Sequence, residues 1–507
     1  MSKPKIFFFT NPESGQANCF LAVISAIQAK HGESVEIHLG SFEQLEKRKP
    51  VDVHFHRIHG QGMGYKEDGS SKDISKAMCH PPGVLGMLKC IYYLSKTTWT
   101  GSSEDYILAT KDVSNLLDQI QPDYIVVDNV FNLVRDVLLN TKRHNGDPWE
   151  YAILSPNTYK DFPGDNPDSD ILDLPVSGTG FPYPLSTKNR IVSIILSICI
   201  GLMIYIFDPP TREIHKARKQ LGYKGALPMY TFLNGEHTFL CMSKDQADLP
   251  RIKSNSNPKK NSANQWLIGC GPILMNSKPV KEVDNQLSEW LNKRPTMLIV
   301  LGTHFNTSPH LANEMFNSLK VIMAKRKDIQ VLWKLQLDSS SQSSMNPGSS
   351  AQNNLRDILE GHAELEDRLK VVNWLIPDPL AILQTGNVIC FVNHGGSNSY
   401  HEALGTGTPQ VILPAWADCY DFAGRLSYLG NGVCGNTKSA PGWNQLELTK
   451  AILTVIGETR TSPIAAQIRM NANKLQDIVT ENGTRQGKDI AAAIIWEELL
   501  DAVGESS

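Results

Sequence analysis

Short apolar runs of strand length alternate with longer stretches of helical period along the first half of the chain. Ile6 to Phe9 predicts a strand, Cys19 to Lys30 a helix, Ser34 to Leu39 a second strand, and Tyr124 to Asp128, entered through Pro122-Asp123, a further one. The same pattern restarts with Thr296 to Leu301 as a strand, Leu311 to Arg326 as a helix and Gln330 to Leu335 as a strand. Strands separated by helices pair through crossovers, which places helices on the faces of a parallel sheet. The expected architecture is therefore α/β, with two domains of similar size. A final helix, about Arg485 to Leu500, carries Ile490, Ile494, Ile495 and Leu499 at helical spacing and predicts packing rather than chemistry.

Two polar tracts and one apolar one interrupt this pattern. Pro250 to Asn264 (PRIKSNSNPKKNSAN) reads as a loop leading into an interdomain linker, with Arg251, Lys253, Lys259 and Lys260 solvated. Asp338 to Asn354 (DSSSQSSMNPGSSAQNN) cannot bury a core and predicts a mobile surface insertion without chemistry. The expected divisions are 1–250, a linker over 251–280, a second domain over 281–483, and a helix and tail over 484–507 that pack back on the first domain. Ile191 to Phe207 has no charged residue, lies behind Lys188 and Arg190, and closes at Asp208-Pro209-Pro210. As a helix it reaches roughly 25 Å at 1.5 Å per residue, the short margin of a bilayer span, and Gly201 and two serines weaken it further. A buried or membrane-surface helix is expected, because a span would separate the two halves that share the site described below.

Composition narrows the classes. The 507 residues are 41% apolar and 20% charged, which excludes collagen-like, fully disordered and coiled-coil chains. A net charge of -3, from 49 basic and 52 acidic side chains, supplies no field for nucleic acid, and no nucleic-acid partner is expected. The nine scattered cysteines include no C-x-x-C pair, so reduced thiols in a cytoplasmic protein are expected, without a metal. The apolar run at the N-terminus is too short for a signal-peptide core.

The chemistry concentrates in Asn387 to Val433. Val388 to Val392 is a strand-type run that passes into His394-Gly395-Gly396-Ser397 and then into a helix near Asn398-Ser399. Strand, glycine turn and helix make a phosphate cradle: glycine lets backbone amides approach an anion, and the helix start supplies unpaired donors with partial positive charge. Glu402, one turn after Asn398, shares its face and suits two vicinal hydroxyls, as on a ribose. A second strand, Gln410 to Leu413, ends at Pro414-Ala415-Trp416-Ala417-Asp418, which puts Asp418 at a carboxyl end, where open α/β sheets bind ligands. A plain tight turn with Asn398 as a helix cap is the alternative for the first motif, and a surface carboxylate the alternative for Asp418.

These residues resemble the signature of UDP-sugar-dependent glycosyltransferases, H-x-G-x-N-S-x-x-E, G-x-P and P-x-x-x-D-Q. It stands here as His394, Gly396, Asn398, Ser399, Glu402, Gly407, Pro409, Pro414 and Asp418. The resemblance spans nearly the whole chain, through Gly271-Pro272-Ile273 and Leu301-Gly302-Thr303, and the segment PAWADCYDFAGRLSYLG looks most like fungal members acting on lipophilic small molecules. It implies two facing Rossmann-like domains (the GT-B fold) with a cleft between them, an acceptor-binding N-terminal domain and a UDP-sugar-binding C-terminal one. By resemblance Trp374 stacks on uracil, Thr303, His394, Asn398 and Ser399 hold the diphosphate, Glu402 the ribose, and Asp418 the transferred sugar. A core tryptophan is the alternative for Trp374. The sequence departs at Trp374-Leu375-Ile376-Pro377-Asp378, where the family has Trp-x-Pro-Gln, and at Cys419, which stands where the family's sugar-binding Gln does.

Family members use a histidine after the first strand as general base, oriented by an aspartate. Here the position is Gln16, which cannot take a proton, whereas the aspartate is matched by Asp128. Three accounts are open: Asp128 acts directly or through water, another residue takes over, or the protein binds nucleotide sugars without transferring them. Replacement candidates are His56 and His59, toward the end of a strand that puts His54 and His56 on one face, and then Glu13. Asp168-Ser169-Asp170 resembles a metal-binding D-x-D but sits in a Pro-rich loop. No cofactor or metal is demanded, since amide donors, the helix dipole and His394 suffice for a leaving diphosphate. The expected function is inverting transfer of a hexose from a UDP-sugar to a hydroxyl of a hydrophobic small molecule, of secondary-metabolite or sterol type, with peripheral membrane contact open. A catalytically weak nucleotide-sugar-binding partner is the alternative.

Overall fold

Ile6, Phe7, Phe8 and Phe9 are all buried, as a strand covered on both faces must be. In the computed structural model, which describes residues 3–60, 62, 78–98, 102–161, 173–225, 227–228, 237–250, 266–302, 305–337, 365 and 367–504, these residues form β1 (Lys5–Phe9). Ile6 and Phe8 pack with the helices Ser14–His31 and Gly487–Gly504. Phe7 and Phe9 pack with Ser103–Ile120 and Asn132–Asn140 on the opposite face. Around β1 lie β2 (Glu36–Ser41), β3 (His54–Arg57), β4 (Tyr124–Asp128), β5 (Tyr151–Leu154), β6 (Thr238–Cys241) and β7 (Trp266–Gly269). The order is β3-β2-β1-β4-β5-β6-β7, and every pairing is parallel.

The second sheet repeats the plan with β8 (Thr296–Val300), β9 (Gln330–Lys334), β10 (Leu369–Val372), β11 (Val388–Asn393), β12 (Gln410–Ile412) and β13 (Gly432–Cys434). Its order, β10-β9-β8-β11-β12-β13, reverses direction between β8 and β11 as the first sheet's does between β1 and β4. Both are doubly wound sheets, whose ligands sit at the carboxyl ends of the strands flanking the reversal.

Three details differ from the sequence expectations. β7 lies inside the stretch assigned to the linker, because Trp266–Gly269 completes the edge of the first sheet beside β6. The first helix begins at Ser14 rather than Cys19, with the Glu13 carboxylate capping it; its polar first turn carries no apolar period to read. The apolar segment forms a helix, Thr187–Leu202, and a wider turn, Met203–Phe207. Leu196 and Ile204 pack on Met87 and Ile91 of the helix Val84–Thr98, while Ile191, Ile195, Ile198, Leu202 and Ile206 are exposed. The segment is thus buried on one side only. No helix among the described residues is long and apolar enough to cross a membrane. Thr303, the Asp168-Ser169-Asp170 motif, the insertion over 338–354 and the basic tract over 251–264 lie outside the described residues.

Candidate active site

At the reversal of the second sheet, β8 runs into Leu301-Gly302 and β11 into His394-Gly395-Gly396. Gly302 has φ 87°, and a Cβ there would stand 2.7 Å from His394 Cε1. A Cβ on Gly396 would stand 2.5 Å from His394 Nε2. The imidazole therefore lies closely between two glycine backbone positions, with the Trp416 ring 5.4 Å away. The helix that follows, Ser397–Gly405, starts at Gly396 with no side chain capping it and no acid in its first turn. Its leading amides are left for an anion at the positive end of the dipole.

Half-buried Glu402 lies one turn into that helix. Burial, and then the Asp378 carboxylate, push its carboxyl up to about 8. Trp374, two residues past β10, is 60% exposed, which excludes the core alternative and leaves an indole surface for a base. Lys334 Nζ lies 4.1 Å from the ring centroid. Asp418 stands second in the helix Ala417–Leu429, behind Ala417 at φ 30°, a left-handed conformation that strains a non-glycine residue. Cys419 departs from expectation. Its side chain is fully buried in the core, and its carbonyl would lie 3.0 Å from a Cβ on Gly395, so it supports the glycine turn and presents no thiol to a sugar.

At the reversal of the first sheet, Asp128 ends β4, fully buried. Its Oδ2 accepts from Thr10 Oγ1 and the Asn11 amide, both at 3.1 Å, and its Oδ1 from the Val130 amide at 3.0 Å. Burial pushes the carboxyl up to about 6 against the pull of those donors. Gln16 lies in the first turn of Ser14–His31, where its backbone carbonyl accepts from Cys19 Sγ at 3.1 Å. Its side-chain Oε1 is buried with no hydrogen-bond partner among the described residues. Burial, and then the Asp128 charge, push the Cys19 thiol up. Glu13 accepts from the Gly15 amide at 2.6 Å, a capping role.

The histidine candidates fall elsewhere. His56 pairs in register with Gly40, and Gly40 with Phe9, so it sits three strands from β4, about 14 Å at roughly 4.8 Å per strand. Its Nε2 lies 2.9 Å from His38 Nδ1 and its ring 5.3 Å from Phe7; burial and His54 lower its pKa. The His54 and His56 rings both stack on His38, so they share a face as the alternation predicts. His59 is exposed and lies 2.5 Å from Asp112 Oδ2. His56 is thus held apart from Asp128, and His59 is engaged by Asp112.

The two reversals face each other. Asn398 Nδ2 donates to the Ser14 carbonyl at 3.1 Å, and Ser397 Oγ donates to the Pro156 carbonyl. A buried ion pair closes the same seam, Arg425 Nε to Asp248 Oδ1 at 2.6 Å, with Arg425 Nη2 donating to Thr158 Oγ1 at 2.7 Å. Lys160 pairs with Asp421 at 2.7 Å. His80, which nothing in its sequence setting singles out, is fully buried here, its Nε2 accepting from the Ala417 amide at 3.0 Å.

Known proteins place this geometry. Residues 356–479 match the family model of the erythromycin biosynthesis protein CIII-like C-terminal domain. Across 98% of the chain, and 99% of the relative, the sequence is 31% identical to glycosyltransferase sdnJ of Sordaria araneosa. It is 27% identical to UDP-glycosyltransferase 74C1 of Arabidopsis thaliana over 96% of this chain and 97% of that protein. The structure of a UDP-glucosyltransferase from Polygonum tinctorium capable of glucosylating indoxyl superposes with TM-score 0.60 at 11% identity, covering 98% of this chain and 99% of that one, and so shares the fold. Two doubly wound sheets meeting across a glycine-turn cradle, together with full-length similarity to sdnJ, show that the chain belongs to the UDP-glycosyltransferases of the GT-B fold.

Proposed function

We propose that the chain transfers a hexose from a UDP-sugar, with inversion, to a hydroxyl of a hydrophobic small molecule of secondary-metabolite or sterol type. The observation that carries this is the Asn398–Ser14 hydrogen bond, which sets the cradle of one sheet against the start of the helix that holds Gln16, just past the Thr10-Asn11 segment that donates to Asp128. UDP lies with its base on Trp374, its ribose on Glu402, and its diphosphate on the amides of Ser397–Gly405, with Asn398, Ser399 and His394 beside it. Thr303 belongs to the same group by resemblance. Asp418 holds the sugar. The acceptor oxygen attacks the anomeric carbon opposite the diphosphate; its bond forms as the bond to the β-phosphate oxygen breaks, and UDP leaves with the electron pair. Gln16 Oε1, a buried acceptor with no partner among the described residues, orients the hydroxyl, and Asp128 takes its proton through water. No metal enters, because cradle and dipole offset the charge developing on UDP.

A nucleotide-sugar-binding partner without transfer is the second reading, favoured by Gln16 and by the sealed position of Asp128. Single turnover of a UDP-hexose with a panel of lipophilic alcohols separates the two. Glycoside product supports transfer, and UDP-sugar binding without any product supports the partner protein.

The acceptor class agrees with the exposed stripe of the helix Thr187–Leu202. Ile191, Ile195, Ile198 and Leu202 share one side of that helix, and the helix carries Lys188 and no acid, while its Arg190 pairs with Asp173. A surface of that kind suits the headgroup layer of an anionic bilayer, each isoleucine contributing on the order of 1 kcal/mol. The native chain should float with anionic liposomes, and the double variant Ile195→Glu, Ile198→Glu should stay behind. A native chain that does not float contradicts membrane contact.

A further inference from the structure

Helices normally close their own N-termini with a Ser, Thr, Asp or Asn side chain. The helix Ala417–Leu429, which carries Asp418 in its first turn, does not: its cap residue is Trp416, whose side chain makes no cap hydrogen bond. The Ala417 amide donates instead to His80 Nε2, 3.0 Å away. His80 comes from the first domain, just ahead of the helix Val84–Thr98. Its ring is fixed in one tautomer by neighbours on both sides, since Nδ1 lies 2.8 Å from the Pro81 carbonyl and donates to it, which leaves Nε2 as the acceptor.

The backbone of the same residue is held equally closely. The His80 amide donates to the Ala415 carbonyl at 3.0 Å, and Tyr420 Oη donates to the His80 carbonyl. Gly178, at φ 82°, lies flat against both partners. A Cβ there would come within 3.2 Å of His80 Cε1 and 3.5 Å of Ala417 Cα. These contacts hold Ala417 at φ 30°, a conformation an alanine adopts only when its surroundings impose it.

On the donor-site reading above, we infer that His80 is a positioning residue which caps the Ala417–Leu429 helix across the domain seam, fixes the Asp418 carboxylate, and so sets which hexose of the UDP-sugar is accepted. UDP itself, held by Trp374, Glu402 and the Ser397–Gly405 amides, does not depend on it. Sugar choice is thereby tied to the docking of the first domain on the second.

The test uses the full chain in four forms: native, His80→Leu, His80→Gln and Tyr420→Phe. Leucine keeps the bulk and removes the acceptor, while glutamine returns an oxygen near the Nε2 position. Affinities for UDP, UDP-glucose and UDP-galactose are measured by calorimetry. A hydrogen bond to a charged group is worth roughly 10- to 100-fold in affinity, so the preference between the two hexose donors should collapse by about that factor in His80→Leu and largely return in His80→Gln. UDP affinity should stay within about twofold throughout. Tyr420→Phe, which loses one hydrogen bond from the same contact, should move the preference part of the way, and it carries the test should His80→Leu fail to fold. A preference unchanged in the leucine and phenylalanine variants overturns the inference, as does a native chain that binds UDP but does not distinguish the hexoses. A native chain that binds no UDP removes the donor site instead.

Discussion

Replacing Glu402 with Gln should raise the unfolding midpoint of the ligand-free protein at pH 8.5 while weakening UDP binding by about 100-fold. The two effects have one cause. Burial and Asp378 hold the Glu402 carboxyl at about 8 in the folded chain, above its ordinary value near 4.5. Between those values the folded state binds more protons than the unfolded one, so this group's contribution to stability falls as pH rises from about 4.5 to about 8, and is flat beyond. Glutamine cannot ionise and escapes that fall, so the gain should appear at pH 8.5 and vanish near pH 4.5. The ribose needs the ionised form, whose oxygens accept from both hydroxyls; hydrogen bonds to a charged group are worth about 1.5–3 kcal/mol each. Native UDP affinity should therefore climb about tenfold per pH unit between 6.5 and 8 and then level off. Calorimetric titration at four pH values, with thermal melts of both proteins, checks each part. A flat affinity profile contradicts the ribose role.

The second large effect falls on Asp128. Asp128→Asn should abolish glycoside formation and leave UDP affinity within about twofold, because the carboxyl lies in the first domain and the nucleotide contacts in the second. In the native enzyme, transfer needs the carboxylate, whose carboxyl stands at about 6. Single-turnover rates should fall about tenfold per pH unit below 6 and be level above it. The substitution also disturbs the turn. Three donors, from Thr10, Asn11 and Val130, converge on the two oxygens, and an amide nitrogen in place of either oxygen faces a donor, at a cost of about 1–3 kcal/mol. The pH profile separates the two contributions, since a structural role alone would not give the native rate a break near 6. Product at the native level in Asp128→Asn contradicts the assignment.

Much of this architecture is legible along the chain. Tyr124 to Asp128 is a strand with the predicted bounds because Pro122-Asp123 opens it and its apolar run closes on the carboxylate. The turn from Asn393 to Ser397 can be read because glycine beside histidine there has a steric reason, the imidazole resting against Gly302 and Gly396. What depends on long-range placement cannot be read. Alternation puts His54 and His56 on one face, correctly, but not on β3 at the sheet's edge, which the crossovers decide. Trp374 ends a strand-like run whether it is core or surface, and only the fold exposes it. Cys419 stands one residue from Asp418, yet the helical turn swings it inward beneath Gly395. His80 meets Ala417 across 337 residues of sequence, a contact with no local signature.

The measurement that bears most directly on the central claim, a nucleotide-sugar site between the two sheets, is the thermal unfolding midpoint of the native chain and of Glu402→Ala, each with UDP, GDP, dTDP or no nucleotide. A ligand that binds only the folded state adds about 2.7 kcal/mol at 100 times its dissociation constant, which shifts the midpoint by several degrees in a domain of this size. A shift with UDP that exceeds those of the other nucleotides and disappears in Glu402→Ala is the predicted result. A midpoint that no nucleotide moves, or one that UDP raises equally in both proteins, would contradict it.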